Sequence, residues 1–123
     1  MWSFITPQLP VADLEATLAW YRDVLGFETA WSNRDFGAVA SSTTEIFFQR
    51  TSAPIAPVTC CVRVEDADSL YVAYKDRGVE IVADIEDRPW GMREFAFRDP
   101  DGHVFRVGHM IELASRWVMR AGR

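Results

Sequence analysis

The sequence predicts an α+β fold: two tandem βαβββ modules forming a cup-shaped mixed sheet with helices on the outside. Three observations carry that prediction. The chain repeats itself, each copy holds one amphipathic helical stretch, and short β-like runs separated by turn residues surround each stretch. In the repeat, Asp13 aligns with Asp66 and Tyr21-Arg22-Asp23 with Tyr74-Lys75-Asp76. After a one-residue gap, Gly26-Phe27-Glu28 aligns with Gly78-Val79-Glu80.

The elements follow in chain order. Phe4 to Val11 reads as the first strand. Asp13 is an N-cap candidate, because a short carboxylate accepts from the free N–H groups of a first helical turn. Leu14, Leu18, Tyr21 and Leu25 then recur on one helical face, and Gly26 sits where a glycine ends a helix in the left-handed conformation. Phe27–Ser32, Phe36–Ser41 and Glu45–Arg50 read as three further strands, divided by Asn33-Arg34-Asp35 and Ser41-Ser42-Thr43.

The second copy has the same grammar. Val58–Val64 is a strand, Asp66 a cap, and Ala67, Leu70 and Tyr74 a buried face ending near Gly78. Glu80–Ile85, Met92–Arg98 and His103–Ile111 complete the module, the last two joined by Asp99-Pro100-Asp101-Gly102.

The expected organisation is one domain over 1–123. Module one is 1–51, a Pro-containing linker 52–57, module two 58–112 and a C-terminal tail 113–123. The tail carries Trp117, Val118 and Met119, and reads either as a short packing helix or as a free end. One helix covers only one face of a four-stranded sheet. The other face must line a cleft or meet a second module, and a homodimer extends the same logic.

Composition narrows the function. The chain has 123 residues, 49% hydrophobic and 25% charged, which is ordinary for a globular domain. Its net charge of −5 works against binding a phosphate backbone, so no nucleic-acid partner is expected. The longest apolar run falls far short of the ~20 residues of a membrane span, so no membrane partner is expected either. No signal peptide is read at Met1-Trp2-Ser3-Phe4. Cys60 and Cys61 are neighbours, which point to opposite faces of a strand; two reduced, buried thiols in a cytoplasmic protein are expected. No serine-hydrolase elbow and no Gly-x-Gly-x-x-Gly is present.

The quoted residues resemble a known family. Val11-Ala12-Asp13-Leu14 with Trp20–Phe27, and Arg88–Phe95 with Arg98–Gly102, are similar to the vicinal oxygen chelate superfamily. This is the glyoxalase/bleomycin-resistance/dioxygenase group, and the likeness is closest to the bleomycin-resistance branch. The resemblance implies the βαβββ module read independently above. It also implies four metal-ligand positions on inward strands, mostly His and Glu in the enzymes.

Carried over, those positions fall at Thr6, Thr59 and Arg106 and near Phe47, with Glu45 and Gln49 on the face of Phe47. Threonines are poor ligands and a guanidinium repels a cation. No metal and no cofactor is therefore expected. His103 is expected at the solvent edge of its turn and His109 at a rim, roughly 20 Å apart along one strand face.

The resemblance further implies a groove bordered by the Pro89-Trp90-Gly91 loop and by the segment around Trp31. Candidate ligand-contact residues are Trp31, Phe36, Phe47, Cys61, Arg63, Trp90, Gly91 and Arg106. Arg63 and Arg106 are expected either to pair with Glu45 or Glu94 or to hold an anionic group of a ligand. Arg93-Glu94 reads as a solvated hairpin edge.

The function this implies is metal-independent binding of a small molecule, a bleomycin-like antibiotic or a related aromatic or cationic ligand, in a dimer cleft. The alternative is a metal-dependent lyase, isomerase or dioxygenase using Glu45, Gln49, Glu94 or His103.

Overall fold

The structure is a computed structural model, and it describes residues 1–111. The tail at 113–123 lies outside the described residues. The chain divides into two compact units, Met1–Ala56 and Pro57–Arg123. Each is a βαβββ module with a four-stranded mixed sheet.

The first unit contains β1 (Gln8–Val11), α1 (Leu14–Asp23), β2 (Glu28–Ser32), β3 (Phe36–Ser41) and β4 (Thr44–Arg50). Its strand order is β1-β4-β3-β2, with β1 parallel to β4 and the other pairs antiparallel. The Asp13 carboxylate accepts from the Ala16 N–H at 3.0 Å and caps α1. Leu14, Leu18 and Tyr21 bury against Leu9, Val39 and Phe48 on one sheet face. The Tyr21 and Phe48 rings lie 4.9 Å apart at that core's centre.

The second unit contains β5 (Thr59–Arg63), α2 (Ala67–Asp76), β6 (Glu80–Asp87), β7 (Met92–Arg98) and β8 (Val104–Met110), ordered β5-β8-β7-β6. Again β5 runs parallel to β8. Asp66 caps α2 through Ser69, accepting from its N–H at 3.1 Å and its hydroxyl at 2.6 Å. The core is more aromatic: Phe97 stacks on Phe105 at 5.2 Å, and Tyr74 meets Phe97 edge-on at 5.3 Å. Both helices end through a glycine at positive φ, Gly26 at +81° and Gly78 at +77°. A side chain there would strain the backbone.

Three expectations need correction. The first strand begins at Gln8, not Phe4; Phe4 and Ile5 are 79% and 78% exposed. Pro7 accepts from the Phe47 N–H but has no N–H of its own to continue the ladder. His103 is not at a solvent edge: it is fully buried, and its Nδ1 accepts from the Val58 N–H at 3.1 Å. The Asp99 carboxylate accepts from the Asp101 and His103 N–H groups, which folds the turn inward. β3 and β7 keep the bounds read from the sequence, and the other strands shift at one or both ends by one or two residues, as where β6 runs on to Asp87.

Candidate functional site

In each sheet the helix covers one face, and alternation places the remaining side chains on the other. The register defines what stands there. In the first unit one row is Gln8–Phe47–Ala38–Trp31, and the next is Pro10–Gln49–Phe36. In the second unit the corresponding rows are Cys61–Arg106–Ala96–Ala83 and Arg63–Gly108–Glu94. Phe47 and Arg106 are thus equivalent positions of the two modules, as are Phe36 and Glu94.

The first unit's face is aromatic and neutral at its centre. Trp31 meets Phe47 edge-on at 5.4 Å, and Ala38, between them in register, is fully buried. Trp31 and Phe36 remain part-exposed. Gln8 donates to Gln49 at 3.1 Å. Glu45 lies further along the same face, beside a hollow of about 400 Å³ that Phe4, Thr6 and Thr44 also line.

The second unit's face is ionic. A hollow of about 250 Å³ is lined by Cys61, Arg63, Trp90, Met92, Glu94 and Arg106, together with Val62. Glu94 organises it. Its carboxylate accepts from Arg106 Nε at 3.0 Å and Nη2 at 3.3 Å, and from Trp90 Nε1 at 3.4 Å. This bond raises the Arg106 guanidinium still further above its ordinary range, so it stays charged. The guanidinium lies over the Trp90 ring, 5.4 Å from its centre.

The loop that presents Trp90 is built locally. Arg88 N–H donates to Met92 O at 2.7 Å and Gly91 N–H to Arg88 O at 3.1 Å, closing a turn with Gly91 at φ +82°. The Arg88 side chain ties the turn down by donating to Asp84 O at 2.7 Å and to Glu94 O at 3.2 Å. Gly91 itself is buried, and its carbonyl accepts from the Ile111 N–H at 3.0 Å. Gly91 therefore shapes the loop around another backbone segment.

The structure brings Cys61, Arg63, Trp90 and Arg106 to one hollow in the second unit, and places Trp31, Phe36 and Phe47 on one face of the first. Arg106 takes the ion-pair alternative, with Glu94 as partner. Glu94 is only 9% exposed and so is not part of a solvated edge. Arg93 points to the opposite face, where Asp68 of α2 accepts from its Nε at 2.9 Å. Cys61 is exposed rather than buried, because it stands on the helix-free face; Cys60, on the helix side, is half-buried. Burial pushes the Cys60 thiol up. Two lining residues, Val62 and Met92, were missed by sequence reasoning. Alternation from Glu94 would have found Met92.

The metal-ligand positions do not suit an ion. Phe47 has no lone pair, and Arg106 is a cation already engaged by Glu94. Of the four residues named for the enzyme alternative, Glu45 lines the first unit's hollow and the other three are engaged or turned away. Gln49 is bonded to Gln8, Glu94 to Arg106, and His103 lies on the helix side. One cluster of ligand-type atoms stands among the described residues, Asp66, Asp68 and His109. It too is on the helix side, and each member is occupied: Asp66 by Ser69, Asp68 by Arg93, and His109 Nδ1 by the Ala67 N–H at 3.0 Å.

Comparisons with known proteins agree with this architecture. The bleomycin resistance protein of Klebsiella pneumoniae is 28% identical over 114 residues, 83% of this chain and 88% of that protein. A bleomycin-binding protein crystallised with bleomycin superposes with a TM-score of 0.77 at 27% identity, covering 87% of this chain and 98% of that one. The bleomycin-binding protein of Streptomyces verticillus, crystallised with copper(II)-bleomycin, superposes at 0.73 and 29% identity, covering 87% and 97%. Residues 4–107 match the family itself. With two βαβββ modules of the same strand order and a match across most of its length, the chain belongs to the Glyoxalase/Bleomycin resistance protein/Dioxygenase superfamily.

Proposed function

We propose that this protein is a metal-independent binding protein that sequesters a small molecule with a flat aromatic part, an antibiotic of the bleomycin type or a related aromatic ligand. The observation that carries the reading is the pair Phe47 and Arg106. Equivalent strand positions that hold metal ligands in the superfamily's enzymes carry here an aromatic ring and a paired guanidinium. Such groups grip flat molecules by contact and charge; they offer nothing that activates a bond. Relatives crystallised with bleomycin support the class of ligand.

Protection by this route is stoichiometric. A dissociation constant of about 1 μM, or about −8 kcal/mol, suffices once protein exceeds drug. Trp31 and Trp90, 42% and 48% exposed, supply the free ring surface and a fluorescent report of occupancy. The reading also takes the protein to be a homodimer, which sedimentation equilibrium tests.

Isothermal titration of the full chain, in chelator, with bleomycin and a panel of planar aromatic compounds tests the proposal. Saturable one-site binding of at least one of them is expected, with Trp90→Ala weakening it. Absence of binding by every compound overturns the reading. So does a stoichiometric transition metal in chelator-free protein whose removal abolishes a turnover.

A further inference from the structure

We infer that the hollow on the second sheet is an anion-recognising subsite, so that the ligand is an acidic aromatic molecule carrying a carboxylate or similar group beside its ring. The inference rests on the proposed function and narrows its ligand. It comes from the distribution of charge among the residues that line the hollow.

Three of them are charged: Arg63, Glu94 and Arg106. Glu94 is committed to Arg106 and Trp90. Arg63 is exposed, and among the described residues it has no ion pair and no side-chain hydrogen bond. The hollow thus carries one uncompensated positive charge in a chain whose net charge is −5. Long-range attraction by the whole protein favours cations, but the local field at this spot favours an anion.

The geometry supplies the rest. Arg63 faces Gly108 in register, and Gly108 faces Glu94. The missing side chain at Gly108 leaves the Arg63 stem beside bare backbone. A Cβ there would come within 2.9 Å of the Arg93 carbonyl oxygen, so the gap is enforced by packing. The Trp90 ring, held by Glu94, stands on the same hollow and is half-exposed. A flat ring against Trp90 brings an attached carboxylate toward the Arg63 guanidinium, whose donors no described residue takes, the arrangement that bidentate pairing needs. A cationic ring substituent meets Arg63 and Arg106 instead.

Three size-matched probes test this by calorimetry on the full chain at pH 7: 2-naphthoate, 2-naphthamide and 2-naphthylmethylamine. We expect naphthoate to bind about tenfold or more tighter than the amide, and the amine weakest. Arg63→Gln should erase the preference by bringing naphthoate affinity down to that of the amide on the same variant, and Arg63→Lys should restore part of it. Added salt should reduce the preference. Arg63 is exposed, so the unfolding midpoint of R63Q should match the parent. Binding of planar compounds without a preference for the anion, or a preference that survives R63Q, overturns this inference and leaves sequestration standing. If no planar compound binds, whatever its charge, the inference falls; if bleomycin does not bind either, sequestration falls with it.

Discussion

The two modules share a helix side and differ on the other. Behind both sheets the same devices recur: an aspartate cap, an apolar helix stripe, and aromatic strand residues beneath it. In front, Phe47 answers to Arg106 and Phe36 to Glu94. One backbone plan thus presents an aromatic wall in one unit and a charged one in the other. The helix side must bury apolar area or the module does not fold, so its chemistry is held. The other face is not held by that requirement, and the proposed recognition surface lies there.

The largest expected effect tests what the modules share. Phe48→Ala and Phe95→Ala each empty a fully buried site, and each should cost about 3–5 kcal/mol in equilibrium urea unfolding. A cost below about 1 kcal/mol in either would break the claim that the two cores are equivalent supports.

A smaller effect separates two strand glycines. At Gly37 the atoms nearest an added methyl are the Leu14 and Leu18 methyl ends, at 3.2–3.3 Å. At Gly108 it meets a backbone carbonyl at 2.9 Å, as well as Met92 and Glu94. Gly108→Ala should therefore cost about 1–3 kcal/mol, and Gly37→Ala clearly less, because leucine rotamers yield and a carbonyl does not. Equal costs would remove the argument that packing enforces the gap.

Acid should act on the second helix start. Ser69 holds the Asp66 carboxyl, and Arg93 the Asp68 carboxyl, below the ordinary range. A depressed carboxylate contributes stability that is present above its unfolded value, about 3.9, and lost as pH falls through the folded one. Asp68→Asn should flatten the fall in urea midpoint below about pH 4 and, since the pair is part-exposed and screened by solvent, change little at pH 7. An unchanged acid limb would show that the Arg93–Asp68 pair contributes nothing.

The smallest effect concerns the adjacent cysteines. Cys61 is exposed and Cys60 half-buried with its thiol pushed up. A thiol reagent at pH 8 should label Cys61 first, read by peptide mass. Equal rates would contradict the assignment of the two side chains to opposite faces.

Much of this was legible in the sequence alone. The module plan, both caps and both helix faces follow from local signals, because periodicity, carboxylate caps and glycine stops act within a few residues. Those signals also put Trp90 on a loop and Arg106 in a strand. Tertiary structure alone decided which arginine is spoken for and which, among the described residues, is free. Arg63 and Arg106 look alike in sequence, yet Arg106 stands within reach of Glu94, while Arg63 stands opposite Gly108. It also decided that His103 is buried and that Cys61 is not. These outcomes depend on strand register and on what lies across the ladder, which local sequence does not encode.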